Sequence, residues 1–451
     1  MKIKFINALV ITNNENNEIL KNATICVENG NIVALYGDNI DKSGNLEQIE
    51  NCCSDTKKID FNADKIIDVQ GDVLMPGFVN AHSHNAMILF RGVNDEVSLQ
   101  EWLYETIFPM EKVLKPIDVY YGTLFACMQS VQCGITTVLD EYFFAPEIIK
   151  ATKQVGMRAF VPVDINLNDG GDRYTYLCQK QQENRHCFDE LRREIAYCHS
   201  VYTQSDKQIE DTIKYARENN LVSTIHCSEN LEEVGECANK NNQLSPVGYL
   251  ERLGYFDNPA LIAHAVCVDK DDISLLSQYD VSVVTNPASN LKLGSGIAPL
   301  QSMLQQKVNV CIGTDGSASN NGIDFFRDMY LTATLQKGVL NDPTILPAQE
   351  VLKMATINGA KALGLNNVGI IAPNYKADII RINTKSLSTT PIHNIVSNIV
   401  YSASKSDVIM TMVNGEIVYE NGKWTNVENV SEIIEKCCEI AEDLKKRAKI
   451  K

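Results

Sequence analysis

His82 and His84 stand two residues apart at the end of the apolar stretch Pro76-Gly77-Phe78-Val79-Asn80-Ala81. In an extended strand alternate side chains share a face, so both imidazoles can reach one ion. Metal binding is the first chemistry this spacing suggests. The pair alone decides little, because core or surface histidines fall at this spacing by chance. The chain holds 7 histidines, and five of them (His82, His84, His199, His226 and His264) fall at or near the C-terminal ends of strand-like apolar runs. His186 and His393 lie elsewhere and receive no role. Clustering of this kind, with acids beside it, favours a site over unrelated core histidines.

Two further patterns extend the set. Ile225-His226-Cys227-Ser228-Glu229 ends an apolar run with a histidine and a carboxylate three residues apart. His226 is a third ligand, and Glu229 is an acid/base close to the metal yet free of it. The plainer account makes Glu229 the solvated start of the acidic stretch 229–236. Gly313-Thr314-Asp315-Gly316 ends another run with an aspartate between glycines. The glycines let the backbone bend as it leaves the strand, and Asp315 completes the metal shell. An ordinary turn is the alternative there, and the strand count weighs against it.

These residues need a scaffold that brings strand ends together. Strand-like runs at 73–84, 135–141, 157–165, 195–202, 222–229, 261–266, 281–287 and 308–315 alternate with helical segments. That rhythm predicts a parallel sheet with helices between its strands, and eight runs predict an α/β fold with a (β/α)8 TIM-type barrel, an open doubly wound sheet being the alternative. Barrel sites are built at the C-terminal ends of the strands. Ser205-Asp206 can cap a helix carrying Ile209, Ile213 and Ala216, and Pro347-Ala348-Gln349-Glu350 opens another with Val351, Leu352 and Ala355. Short β-type runs at both chain ends, two of them bounded by Asn29-Gly30 and Asn414-Gly415, predict a small composite β-sandwich domain. The expected layout is a β-domain over 1–75, the barrel over 76–370, the remainder of the β-domain over 371–425 and a C-terminal helix over 426–451. In that helix Ile433, Ile434, Cys437, Ile440, Ala441 and Leu444 share a face. Residues 41–60 are polar without a period and read as a surface loop.

The 451 residues are 44% hydrophobic, enough for a large core. With 57 acidic against 41 basic residues, the net charge of −16 argues against nucleic acid or an anionic membrane as partner, leaving small molecules. A homo-oligomer is left open. The 14 cysteines include no Cys-x-x-Cys and read as reduced thiols of a cytoplasmic protein. The first apolar run, 5–12, is too brief and wrongly flanked for a signal peptide, and nothing approaches a membrane span.

A longer string of motifs accompanies the ligands: Pro76 to His84, Arg91-Gly92-Val93, Glu101-Trp102-Leu103, Ile107-Phe108-Pro109-Met110-Glu111, Ile262-Ala263-His264-Ala265-Val266, Asn286-Pro287-Ala288-Ser289-Asn290 and Gly313 to Asn321. In these the chain resembles the metal-dependent amidohydrolase superfamily, specifically its S-adenosylhomocysteine/5'-methylthioadenosine deaminase branch, with the triazine hydrolases nearby. The resemblance implies one divalent ion per chain, Zn2+ with Fe2+ as the other candidate, on His82, His84, His226 and Asp315. It also implies hydrolytic deamination of an adenine nucleoside or thioether by metal-activated water. In that reaction Glu229 moves the proton, while His264 and Asp315 steer the water.

For the substrate, the resemblance implies Glu111 on ribose hydroxyls, with an exposed helical acid beside Lys112 as the plainer account. It further implies His199 and Glu229 at the substrate, Arg173 on an amino-acid carboxylate and Ser319 beside the base. Arginine suits that carboxylate because its planar fork grips both oxygens. A second family arginine is replaced by Val163, five residues past Arg158. That departure weighs against S-adenosylhomocysteine, whereas 5'-methylthioadenosine or adenosine needs no such clamp. A related enzyme acting on guanine, a pterin or an s-triazine is the alternative, and a non-catalytic scaffold a remote one. Triazine hydrolases tend to replace the glutamate that is present here as Glu229.

Overall fold

The computed structural model describes residues 1–40 and 61–450; the loop expected over 41–60 lies outside the described residues. Strands from both chain ends share one nine-stranded sheet. Its order runs Lys423–Trp424, Glu416–Glu420, Val408–Val413, Ile379–Ile382, Val73–Pro76, Lys2–Ile11, Ile19–Glu28 and Asn31–Ile40, with Lys65–Asp68 also paired to Lys2–Ile11. The hydrogen bonding thus gives one sheet where the sequence suggested two. Val73–Pro76 makes the join, pairing parallel to Lys2–Ile11 through Leu9 and Val10 and antiparallel to Ile379–Ile382. Both Asn-Gly pairs turn hairpins with positive φ at each residue (49° and 79° at Asn29-Gly30, 48° and 79° at Asn414-Gly415), the backbone that asparagine and glycine tolerate best. Phe5, Ile25, Leu74, Ile379 and Met412 build a core of this sheet's own.

The run expected over 73–84 is therefore two strands. The chain crosses from one sheet to another at Gly77, where a Cβ would overlap the Thr136 side chain. Beyond it Phe78–Ser83, Ile135–Asp140, Arg158–Val161 and Arg192–Glu194 form a parallel sheet of four strands. Ala196–Tyr197, Ser223–Cys227, Ala260–His264, Val281–Thr285 and Asn309–Ile312 form a parallel sheet of five. The two meet at Ile195, whose N–H donates to Val161 O at 3.3 Å, while the next N–H, of Ala196, donates to Val222 O at 3.0 Å. At their far edges the Asp315 N–H donates to His82 O at 3.0 Å, and Asn80 bonds Thr314 through both its amide oxygen and nitrogen. The fourth run begins earlier than 195–202 and stops at Tyr197, which leaves His199 on the loop beyond.

Local signals behave as the periodicity predicts. Ser205 caps Asp206–Asn219, and Ile209, Ile213 and Ala216 are buried. Val430–Ala448 buries Ile433, Cys437, Ile440 and Leu444. Ile434 departs from this face and is 43% exposed, because consecutive residues on a helix lie about 100° apart. Arg447 ties the helix to Asp118 at 2.7 Å. The twelve described cysteines are all free. Among the described residues no helix is long and apolar enough to cross a membrane.

Candidate metal and active site

The strand ends converge as expected. His82 sits in Phe78–Ser83 and His84 just beyond it, His226 in Ser223–Cys227, His264 at the end of Ala260–His264, and Asp315 three residues past Asn309–Ile312. Two of the functional side chains leave strained backbone, with φ of 75° at His264 and 62° at Asp315, and a third strained residue, Ser228 with φ of 53°, directly precedes Glu229. Such left-handed geometry in residues with a Cβ costs roughly 1–3 kcal/mol each and persists where packing over-determines it. Around Asp315 the sequence placed the bend on the glycines. The structure places it on Asp315 itself and reserves the glycines for space. A Cβ on Gly313 would lie 2.5 Å from Asn286 Oδ1, and one on Gly316 would lie 2.7 Å from Met87 Sδ.

Hydrogen bonds behind the rings determine what the rings offer in front. His84 Nδ1 meets Glu141 O at 2.8 Å, and His226 Nδ1 meets His199 O at 2.7 Å. A carbonyl only accepts, so each Nδ1 carries the proton and each Nε2 presents a lone pair. Those two Nε2 atoms are 3.3 Å apart. His82 Nε2 is buried without a hydrogen-bond partner, and Asp315 Oδ1 lies 3.7 Å from it and 3.4 Å from His84 Nε2. Converging lone pairs and a carboxylate repel one another unless a cation lies between them. The donor set therefore fits a divalent ion with nitrogen and oxygen ligands. His82, His84, Glu141 and His226 bring ligand atoms within 4.8 Å of one another, as do His82, His264 and Asp315.

Electrostatics agree with this arrangement. Burial would raise the Asp315 carboxyl, but the facing His264, His82 and His84 hold it down to about 2. Burial, and then the charge of His82, push His226 well below the ordinary histidine range. Burial raises Glu229, with His264 opposing, so this acid holds a proton more readily than an exposed glutamate. Its Oε1 lies 4.0 Å from His264 Nδ1 and 3.5 Å from Ser295 Oγ. Asn290 Oδ1 sits 2.7 Å from His264 Nδ1, and Ser289 and Ser319 donate to Asp315 Oδ2 at 2.5 and 3.1 Å.

A cavity of about 540 Å³ opens above these groups and is lined by His84, Glu111, Glu141, His199, His226, Glu229, His264, Asp315 and Ser319. Leu99, Trp102, Leu103, Ile107, Phe108 and Leu167 add an apolar part to its lining. The amidohydrolase family model matches residues 73–418, which spans the two parallel sheets and the Val73–Pro76, Ile379–Ile382 and Val408–Val413 strands of the nine-stranded one.

The chain belongs to the amidohydrolase family.

Within that family it is 36% identical over 411 residues to a 5-methylthioadenosine/S-adenosylhomocysteine deaminase of Caldicellulosiruptor saccharolyticus, covering 91% of this chain and 95% of the relative. It is 38% identical over 371 residues to a 5'-deoxyadenosine deaminase of Methanothermobacter thermautotrophicus, covering 81% and 86%. Among solved structures, an adenosine deaminase of Xanthomonas campestris with bound zinc superposes with a TM-score of 0.87 at 29% identity, covering 98% of each chain. This amidohydrolase therefore has a TIM-barrel-type fold with an extra domain.

Not every residue expected at the site reaches it. Glu111 does, and burial pushes its carboxyl up to about 7, with Tyr142 opposing. His199 does as well; burial, and then His84, lower it to about 4. Arg173 does not line the cavity. It is fully buried and directs its guanidinium at main-chain carbonyls, Asn166 O at 2.6 Å and Tyr197 O at 3.5 Å. Val163 is buried in a small apolar cluster with Leu177, Ala196 and Tyr215. Lys112 is the one lysine or arginine on the described cavity wall. Sequence reasoning passed over Glu141, Asn290 and Ser289. Glu141 closes the second strand run as an acid, the same signal that marked Asp315.

Proposed function

We propose that the protein is a metal-dependent aminohydrolase that deaminates adenine nucleosides or their thioethers to the inosine analogue and ammonia. The observation that carries this reading is the convergence of the Nε2 atoms of His82, His84 and His226 with Asp315, beside a cavity that His84, His226, Asp315 and Glu229 line. The family and the deaminase relatives support it. His82, His84, His226 and Asp315 would hold one divalent ion per chain, Zn2+ by preference for this donor set. Such an ion supplies a Lewis acid that acidifies bound water and readies it for attack at neutral pH.

The remaining work falls to the chain's own residues. Glu229 accepts a proton from the attacking water and delivers it to the ring nitrogen next to the amine-bearing carbon, so that the carbon can take the new bond. His264, braced by Asn290 at Nδ1, keeps a fixed edge toward the reacting atoms. Asp315, held by Ser289 and Ser319, orients the water and passes its proton toward the departing ammonia. Glu111 and His199 line the cavity where ribose and the 5' group would lie.

The apolar part of the lining suits an uncharged 5' group, and among the described residues no arginine lines the cavity to grip an amino-acid carboxylate. 5'-Methylthioadenosine, 5'-deoxyadenosine and adenosine are therefore favoured over S-adenosylhomocysteine. The same reading takes the two parallel sheets as one (β/α)8 barrel, supported by the hydrogen bonds at Ile195 and Asp315. Following the adenine-to-hypoxanthine absorbance change over a panel of these compounds tests the assignment. Turnover of none of them would sink it.

A further inference from the structure

Glu141 braces both members of the histidine pair at once. It is 1% exposed and directly follows the Ile135–Asp140 strand. Its carboxylate Oε1 lies 3.4 Å from His82 Nδ1, while its main-chain carbonyl takes His84 Nδ1 at 2.8 Å. The Glu141 N–H donates to Ser83 O at 2.9 Å, so the residue is locked in register against the segment it supports. Thr224, two residues before His226, donates its hydroxyl to the same Oε1 at 2.7 Å. The neighbouring acid cannot substitute, because Asp140 is occupied by the main-chain and side-chain nitrogens of Asn85 at 2.9 and 3.1 Å.

We infer that Glu141 is the positioning residue of the metal centre: its carboxylate holds His82 as the Nδ1–H tautomer and so aims the Nε2 lone pair at the ion. This rests on the metal site proposed above. A carboxylate behind a ligating imidazole fixes the tautomer and ring plane and strengthens the ligand, and its loss typically weakens metal binding about 10- to 100-fold. Thr224 orients the carboxylate, which links the His82 and His226 strands through one oxygen atom.

Two readouts test this without reference to turnover. Metal-free wild type, Glu141→Ala, Glu141→Gln and Thr224→Val are titrated with Zn2+ against a chromophoric chelator. The tautomer of His82 is read from nitrogen-15 spectra of histidine-labelled, metal-free protein at a pH where the ring is neutral. Glu141→Ala is expected to weaken zinc binding about 10- to 100-fold and to release His82 into a mixture of tautomers. Glu141→Gln keeps an acceptor against Nδ1 and should recover most of both. Thr224→Val should fall between it and wild type, and either milder variant serves if the alanine variant fails to fold. Wild-type zinc affinity with an unchanged tautomer in Glu141→Ala would overturn the inference. So would a glutamine variant as impaired as the alanine one, since that would place the carboxylate on the ion. A wild-type protein that binds no zinc would sink the metal reading instead, and the His82 tautomer would still decide Glu141.

Discussion

Gly313 presses against His82. A Cβ built on Gly313 would stand 2.8 Å from the His82 Cβ, closer than two such carbons pack, and 2.5 Å from Asn286 Oδ1. The glycine is there for this approach, since no left-handed φ requires it. Gly313→Ala should displace His82 and lower zinc affinity, and overpacking should reduce stability by about 1–3 kcal/mol. Zinc titration and thermal unfolding of the metal-free protein separate the two effects. An alanine variant with wild-type values in both would show that the strands can part without consequence.

Metal removal should abolish deamination and leave the fold intact. The three Nε2 atoms would then face one another without a cation, so the stripped protein should also unfold at a lower temperature. Activity should return with added Zn2+. Full turnover after exhaustive chelation would contradict a metal-assisted reaction.

Glu229→Gln should keep metal and fold while losing about 10²- to 10⁴-fold in kcat, the usual worth of a positioned acid/base. Parallel measurement of bound zinc distinguishes this from loss of the site. A glutamine variant that turned over normally would remove Glu229 from the mechanism.

The acid limb of the pH profile should lie above the ordinary glutamate pKa of about 4.3. Burial raises Glu229, and it must be ionised to accept the proton of water. As pH falls through that raised pKa, the base is protonated and activity is lost. Initial rates across the acid range check this, and a limb at or below the ordinary value would disagree with a buried Glu229.

Arg173→Met should act on stability and spare selectivity. Its guanidinium satisfies one part-buried and one buried carbonyl, so removing it should cost on the order of 1–3 kcal/mol. The ratio of kcat/KM for S-adenosylhomocysteine to that for 5'-methylthioadenosine should stay within a few-fold. A selective collapse with S-adenosylhomocysteine would return Arg173 to the substrate.

The histidines and their strand ends were legible because a two-residue period is local: alternation along 78–84 places His82 and His84 together whatever the rest of the chain does. The break of 73–84 at Gly77 was not legible. Both halves are apolar, and only the crowding of Gly77 against Thr136 shows that the chain changes sheets there. The direction of the Arg173 side chain was not legible for a related reason. Its position after Gly170-Gly171-Asp172 marks a turn, but whether the side chain swings to the cavity or inward depends on which carbonyls lie unsatisfied nearby. Glu141 was overlooked because an acid at a strand end acquires meaning only when its neighbour across the sheet is known.

The sequence by itself therefore determined the donor types, their order along the chain and the alternation of strands and helices that puts each near a strand end. These are properties of residue chemistry and short-range periodicity. Only the tertiary structure decided which imidazole nitrogen faces inward, that Asp315 rather than its glycines bears the strain, that Arg173 donates to the main-chain carbonyls of Asn166 and Tyr197 and that Glu141 stands behind both histidines. Each of those depends on inter-strand register or on which polar group finds a partner, and apart from the Arg173–Asn166 bond such contacts join residues tens to hundreds of positions apart.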